Sequence, residues 1–283
     1  MSHALVVAAY ALRESLRRRV FVVVAVLTVA FLYLYWLGAK RAFDETEGIL
    51  PPEGIEPETL VGATLFGLSM FATLFLGTVL AIFLTLGAVR GDAERGLLQP
   101  LVVRPLGRTT FLLGRFAGAA AVCAVYVVLV YAAALLLTRS AGGWVPDRVV
   151  VPALELAAAV AILVALSLLG SVVLSTTANG IAVFMLFGAG LVGGLLGQIG
   201  EAIDSETLLR VAERTSWALP FEALYQDGLQ RLTADSRGFT RFAVELGPFG
   251  GGQAYGAWLP WWAALYAAGV LGLAALVFAR RDL

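Results

Sequence analysis

The sequence contains few of the side chains that bind metals or form covalent cross-links. Among its 283 residues there are one cysteine, Cys123, one histidine, His3, and three methionines. A single cysteine excludes a disulfide within the chain. No His, Cys or acidic residues fall at the spacing of a structural metal site. The sequence therefore predicts no metal centre.

Charged residues are also scarce. They make up 14% of the chain, against about 25% in ordinary soluble domains. Hydrophobic residues make up 60%, and the mean hydropathy is +0.86. The net charge of zero gives no reason to expect a nucleic-acid partner. This composition is typical of a polytopic membrane protein.

Lysine occurs once, at Lys40. The Walker nucleotide-binding loop needs a lysine followed by serine or threonine, whereas Lys40 is followed by Arg41. The chain is therefore predicted to bind no nucleotide or other cofactor itself. A membrane-embedded enzyme is also disfavoured, because no histidine, clustered acids or nucleophile–base pair lies near one interface.

Six apolar segments are long enough to cross a bilayer, which takes about 20 helical residues. They are 20–39, 60–89, 111–138, 149–175, 180–199 and 258–279. Solid apolar runs indicate helices, since a β-barrel would show alternation. The first segment lacks a small-residue cleavage site, so it is predicted to remain as an anchor. The predicted fold class is an all-α polytopic membrane protein with six transmembrane helices.

The basic residues set the predicted orientation. If the N-terminus is cytoplasmic, the inside segments together with Arg115 hold 11 basic and four acidic residues, and the outside segments hold nine basic and 15 acidic ones. Both termini are therefore predicted to be cytoplasmic.

Two regions outside the spans have helical patterns of their own. Residues 1–19 carry an apolar stripe opposite arginines, which predicts an amphipathic helix on the inner membrane surface; a plain extension of the first span is the alternative. Residues 20–283 are predicted to form one domain with an extracytoplasmic helical loop at 200–257. In that loop a helix is expected over 205–218 with Ser205 as N-cap, followed after Pro220 by a second amphipathic stretch at 221–232.

The segment 90–110 between the second and third spans is the most distinctive polar stretch. From position 90 to 108 it reads RGDAERGLLQPLVVRPLGR, with four arginines against two acids. Its leucines follow roughly helical spacing, so a short helix with an apolar ridge could dock in a cleft of a soluble partner. On composition alone, an ordinary positive-inside loop whose leucines rest on the membrane is an equal alternative.

The amino-acid sequence of this loop resembles the ERGTL…LL..RP.SR loop of type-2 ATP-binding-cassette permeases. The six spans, the amphipathic N-terminal helix, the outside helical region and the FARRDL end agree with that family over nearly the whole chain. The resemblance implies that the loop holds a coupling helix seated on a separate ATPase subunit. The residues that it assigns to ATPase docking are Glu94, Arg95, Gly96, Leu97, Leu98, Leu101, Arg104 and Arg108.

Two positions depart from the family pattern. Leu97 stands where threonine is usual, which removes a hydroxyl from the start of the helix. Pro100 interrupts the apolar ridge, and proline is tolerated only in the first helical turn. The coupling helix is therefore expected either to begin near Leu98 or to break there.

The same resemblance implies partners. They are two copies of a cytoplasmic ATPase that binds ATP and Mg²⁺, a second permease copy or close paralogue, and membrane lipid. The chain would be an exporter subunit in the inner (cytoplasmic) membrane of a bacterium or archaeon. Alternatively, it could pass ATPase motion to an extracytoplasmic protein without moving a solute. Relatives that serve nitrous-oxide-reductase maturation are similar in length and layout and engage such a partner.

Glycines crowd the fifth span. Gly190 with Gly194, and Gly193 with Gly197, have the GxxxG spacing that permits close helix approach. Packing within one subunit, contact with a second subunit and lining of a pathway are alternative interpretations of this stripe.

Glu155 is the one acid within a predicted span. An ionisable residue inside a membrane is a functional hypothesis. Exposure at the outer interface is the alternative, because Glu155 follows Pro152 near the outer end and no companion charge is evident inside the bilayer.

Several uncharged polar residues complete the set of candidates. Thr78 and Thr85 share a face of the second span and could line a pathway. The remaining ones are expected to pack helices or cap helix ends: Ser167 and Ser171 for packing, and Thr176, Thr177 and Asn179 for capping.

Overall fold

The computed structural model describes residues 19–46, 56–86, 107–235 and 252–280, with side chains from residue 21 onward. Within these ranges the chain is helical, with short connections and no strand. The helices are α1 (Arg19–Thr46), α2 (Pro57–Thr85), α3 (Arg108–Gly142), α4 (Val150–Val173), α5 (Thr176–Ala202), α6 (Glu206–Ala218), α7 (Pro220–Gln230) with the 3₁₀ turn Arg231–Thr233, and α8 (Leu259–Ala279). The predicted all-α class is confirmed.

Six helices are long and apolar enough to cross a bilayer, namely α1 from Phe21, α2, α3, α4, α5 and α8. This confirms the six predicted spans, although their bounds differ. α5 begins at Thr176 rather than at 180. α3 has 35 residues, which is about 50 Å of helix and longer than the hydrocarbon core requires. The surface helix predicted over 1–19 lies almost entirely outside the described residues.

α4 lies at the centre of the bundle. It packs against α2, α3, α5, α7 and α8, and Leu156 and Leu163 of α4 share one apolar core with Phe66 and Leu74 of α2. In the most apolar windows of α2 and α4, 67% and 61% of residues are buried, against 17% and 22% in α1 and α8. The exposed apolar faces of these outer helices are surfaces that lipid would cover.

The bundle has two different ends. We call the "loop end" the one where α2 stops and α3 starts, on either side of residues 87–106, and the "cap end" the one that carries α6 and α7. α6 matches the helix predicted over 205–218, and Ser205 occupies its N-cap position without a side-chain capping bond. α6 packs on α5 and buries Ala212 and Ser216, while its charged face is exposed.

α7 is buried on every side. Its 11 residues make a helix of about 16 Å, too short to cross a bilayer. Every residue from Pro220 to Leu229 is buried, because α7 lies among α2, α4, α5, α6 and α8. The stretch predicted as amphipathic at 221–232 is therefore helical, but its polar side chains lie inside the cap end.

Candidate functional site

Most of the residues assigned to ATPase docking lie outside the described residues. These are Glu94, Arg95, Gly96, Leu97, Leu98, Leu101 and Arg104. The same holds for Pro100, so the start of the coupling helix stays a prediction. Arg108, the last residue of the set, begins α3 and is described.

Arg108 is joined to the end of the last span. Its guanidinium donates hydrogen bonds to the carbonyl oxygens of Phe278 and Ala279 at 3.2 and 3.0 Å. Its guanidinium carbon lies 5.9 Å from the centre of the Phe278 ring. The last carbonyls of a helix carry partial negative charge and lack helical partners. Arg108 thus caps α8 and ties it to the chain immediately after residues 87–106.

A hydrogen-bonded group joins α2, α4 and α5 at the loop end. Thr85 Oγ1 lies 2.6 Å from Ser167 Oγ, and Asn179 Nδ2 donates to the Ser167 carbonyl at 3.0 Å. Asn179 therefore does not cap α5, whose N-cap residue is Ser175. Thr78 bonds to the Leu74 carbonyl of its own helix. These contacts join packed helices and satisfy the three hydroxyl groups and the Asn179 amide nitrogen. The Asn179 Oδ1 atom is buried without a hydrogen-bond partner among the described residues.

The glycines of α5 face the cap helices of the same chain. A Cβ atom at Gly190 would overlap the Phe221 ring, and one at Gly193 would overlap Thr215. At Gly194 a Cβ would overlap the Glu222 carboxyl group. At Gly197 the Cβ would lie 3.2 Å from Ala212 Cβ. The stripe lets α6 and α7 approach the α5 backbone; a role in contact with a second subunit or in a pathway stays a prediction.

Glu155 has a charged partner that the sequence analysis missed. Its side chain is buried, with 6% of its surface exposed, and its Oε1 accepts a hydrogen bond from Arg231 Nε at 3.1 Å. The alternative of exposure at the outer interface is therefore wrong. The signal available in the sequence was Asp227 with Arg231, four residues apart at the end of α7.

Two buried carboxylates share the guanidinium of Arg231. Arg231 Nε also donates to Asp227 Oδ2 at 2.7 Å, and Arg231 Nη2 lies 2.6 Å from the same oxygen. The backbone N–H of Tyr255 donates to Asp227 Oδ1 at 2.8 Å. Burial lowers the pKa of Arg231, but hydrogen bonding and charge from Asp227 and Glu155 outweigh it and raise that pKa above its usual value. The cluster fixes α7 and the segment before α8 to α4.

A second polar pair lies one turn earlier in α7. Gln226 Nε2 donates to Glu222 Oε1 at 2.9 Å, and the two residues expose 4% and 1% of their surface. Glu222 Oε2 and Gln226 Oε1 are buried without a hydrogen-bond partner among the described residues. Burial raises the pKa of Glu222 to about 7, against the opposing hydrogen bond from Gln226.

Tryptophans mark the surface of the cap end. Trp217 of α6 stacks on Trp258 with ring centres 4.5 Å apart and meets Trp262 of α8 edge-on at 5.3 Å. Trp217 and Trp258 remain 44% and 42% exposed. Such aromatic clusters are typical of the boundary between hydrocarbon and headgroups.

The polar side chains of the described residues contact one another and neighbouring helices. In these ranges no group of three or more His, Cys, Asp or Glu could hold a metal ion. Cys123 is buried. The polar groups instead join helices at the two ends of an apolar bundle.

Comparisons with known proteins agree with this arrangement. A family model described as "ABC-2 family transporter protein" matches residues 5–283. Among curated relatives, the "Probable ABC transporter permease protein NosY" of Stutzerimonas stutzeri is 32% identical over 126 residues. That match covers 44% of this chain and 41% of the relative.

Proposed function

The chain belongs to the ABC-2 family of transporter proteins, and we propose that it is the membrane permease of an ATP-driven exporter. The observation that carries the proposal is the family match over residues 5–283, on a bundle with six helices able to cross a membrane. The chain itself would break no bonds. It would switch between inward- and outward-facing states while a separate subunit hydrolyses ATP.

The proposed energy source is a cytoplasmic ATPase that binds to the loop end. The sequence lacks a Walker loop, so ATP and Mg²⁺ would bind to two copies of that partner. The segment 90–110 would be the docking element, and a second permease copy or close paralogue would complete the assembly. The Arg108 contacts with Phe278 and Ala279 give α8 a direct mechanical link to that segment.

The loop end is assigned to the cytoplasm. Its basic excess and the positive-inside rule support this orientation, with the cap end on the extracytoplasmic side of the inner membrane. Export then means that cargo leaves past α6 and α7. The apolar bundle, in which the hydroxyls of Thr78, Thr85 and Ser167 are bonded to protein groups, favours a hydrophobic or lipid-like cargo.

Docking is tested by co-purification of the ATPase with the permease from membranes. The double replacement Glu94→Ala with Arg104→Ala should abolish co-purification, because it removes a carboxylate and a guanidinium from the proposed contact. The permease itself should remain folded and monodisperse.

Two single replacements sharpen this test. Arg210→Ala on the exposed face of α6 removes an arginine at the opposite end and should leave the complex intact. In Arg108→Ala, ATP hydrolysis should respond less to cargo, because α8 is no longer tied to the loop. Full assembly in the Glu94/Arg104 double variant would contradict the docking proposal.

A mechanical transmitter is the second candidate function. The exposed charged face of α6, with Glu206, Arg210, Glu213 and Arg214, is the observation that favours it, because an extracytoplasmic protein could bind there. In nanodiscs containing permease and ATPase, an exporter should hydrolyse ATP faster when a transported solute is added. A broad solute screen without stimulation, together with stimulation by an extracytoplasmic protein, would replace the exporter proposal by the transmitter.

A further inference from the structure

The pair formed by Glu222 and Gln226 contains two buried acceptor atoms without a donor in the described part of the chain. Gln226 Nε2 donates to Glu222 Oε1 at 2.9 Å, while Glu222 Oε2 and Gln226 Oε1 are buried acceptors without a donor among the described residues. An ionised carboxylate here would be almost fully removed from water. Burial of an unpaired charge is strongly unfavourable, and such a group tends to become neutral instead.

The α5 backbone lies close to the hydrogen-bonded side of the pair. On the α5 side, a single added Cβ at Gly194 would overlap Glu222 Oε1 and lie 2.7 Å from Gln226 Nε2. A cation held by protein oxygens needs several ligands at fixed distances. No group of three acids or other metal ligands occurs in the described ranges. The site therefore suits a single proton on the carboxyl group.

We propose that Glu222 is a proton-binding site of the cap end, occupied while α7 lies buried in the bundle and emptied when α7 moves towards water. This inference goes beyond the transport proposal and holds whether or not the chain moves a solute.

Glutamine is suited to both protonation states of this carboxyl group. When Glu222 is ionised, it accepts from the Gln226 amide nitrogen, as observed at 2.9 Å. When it is protonated, its O–H can donate to the amide oxygen after the amide rotates by half a turn. Gln226 can thus form a hydrogen bond with Glu222 in both protonation states.

The other titratable groups near Glu222 lie on α7, on α4 and in the segment before α8. Tyr225, on the same helix, has its pKa raised well above the usual value by burial and then by Glu222. Tyr255, before α8, has its pKa raised by burial against the hydrogen bond with Ser216. Asp227 of α7 and Glu155 of α4 both pair with Arg231. α5 contributes the Gly194 backbone at closest approach.

The direction of the pH effect follows from proton linkage. Burial raises the pKa of Glu222 from 4.5 to about 7, and exposure to water would restore the lower value. The buried form therefore binds more protons than the exposed form. The contribution of this proton to the free energy that favours the buried form is complete below about pH 4.5. It falls as the pH rises towards 7 and changes no further above it. One proton gives at most about ten-fold per pH unit in the exposed-to-buried ratio.

The experiment measures exposure of α7 in the full permease with its ATPase in nanodiscs. A cysteine placed at Ala223, which is 1% exposed, in a Cys123→Ala background reports on α7 through its reaction rate with a membrane-impermeant maleimide. The ratio of rates between the parent and Glu222→Gln cancels the intrinsic pH dependence of the thiol. It should be near one at pH 4.5 and rise up to ten-fold per pH unit towards pH 7.

A second measurement detects the proton itself. In infrared difference spectra, the parent should show a protonated-carboxyl component that titrates near pH 7, and Glu222→Gln should lack that component. Glu213→Gln, the same change at an exposed position of α6, should keep that component and leave the labelling ratio unchanged. Equal labelling profiles for parent and Glu222→Gln, or loss of folding in this neutral isostere, would overturn the proposal.

Discussion

Replacing Arg231 with alanine should lower the free energy of unfolding by about 3–5 kcal/mol, because it leaves two buried carboxylates without their cationic partner. The side chains of Glu155 and Asp227 are only 7% and 5% exposed, and both accept hydrogen bonds from Arg231. After the replacement, neither carboxylate would have a cation at hydrogen-bond distance in the described part of the chain. Because the cluster fixes α7 to α4, the loss should appear first at the cap end.

Equilibrium unfolding of the purified permease in mixed micelles measures this effect, with the cap end followed by Trp217 and Trp258 fluorescence. Arg148→Ala is the matched control, because Arg148 pairs with Asp235 at 3.5 Å and the two side chains are 54% and 65% exposed. An exposed pair contributes about 0–1 kcal/mol. Arg231→Lys should recover part of the loss, since one ammonium cannot reproduce the forked contacts. Equal losses for Arg231→Ala and Arg148→Ala would show that the buried cluster adds no stability.

The six spans could be predicted from the sequence because the bilayer dictates their length and composition. Each crossing needs about 20 apolar residues with all backbone groups bonded inside the helix, so an apolar run is itself the structural signal. Boundaries are less determined. The apolar stretch alone suggested that the fifth span starts at 180, but α5 begins at Thr176 because Ser175 opens the helix in extended backbone.

α7 could not be placed from its local pattern. Polar residues at positions 222, 226 and 227 suggested a helix with a solvated face, which is the usual meaning of such a pattern. Their partners are instead distant in sequence: Arg231 reaches Glu155 across 76 positions, and Tyr255 reaches Asp227 across 28. Periodicity reports whether a helix has a polar face, but not whether that face meets water or another buried charge.

The same limit applies at the loop end. The resemblance of the loop sequence to the family motif assigned Arg108 to ATPase docking. The motif carries no information about the contact of Arg108 with Phe278, which lies 170 positions away. Asn179 was expected to cap a helix end, whereas its amide donates to the Ser167 carbonyl. In both cases the side chain bonds to a backbone carbonyl of another helix, and only the tertiary packing identifies which one.

Gly193→Ala should destabilise the permease by about 1–3 kcal/mol, the usual cost of forcing an extra methyl group into a well-packed interior. The new Cβ would overlap the methyl group of Thr215 and lie 2.7 Å from Thr215 Cβ, so α6 would have to move away from α5. Gly188→Ala is the matched control on the same helix, because no heavy atom of the described residues lies within 4 Å of its Cβ position. Alanine is favoured over glycine inside a helix by up to about 1 kcal/mol, so this control should be neutral or stabilising.

Measuring both variants over a range of protein concentrations separates packing within one subunit from contact with a second subunit. Gly193 contacts a helix of its own chain, so its loss of stability should be the same at every permease concentration in the micelles. A contact between subunits would behave differently, because mass action makes the apparent stability of an assembly depend on its concentration. If the loss in Gly193→Ala grew on dilution while Gly188→Ala stayed unchanged, the stripe would be part of a subunit interface. If Gly188→Ala alone weakened self-association, the interface would lie on the opposite, open face of α5.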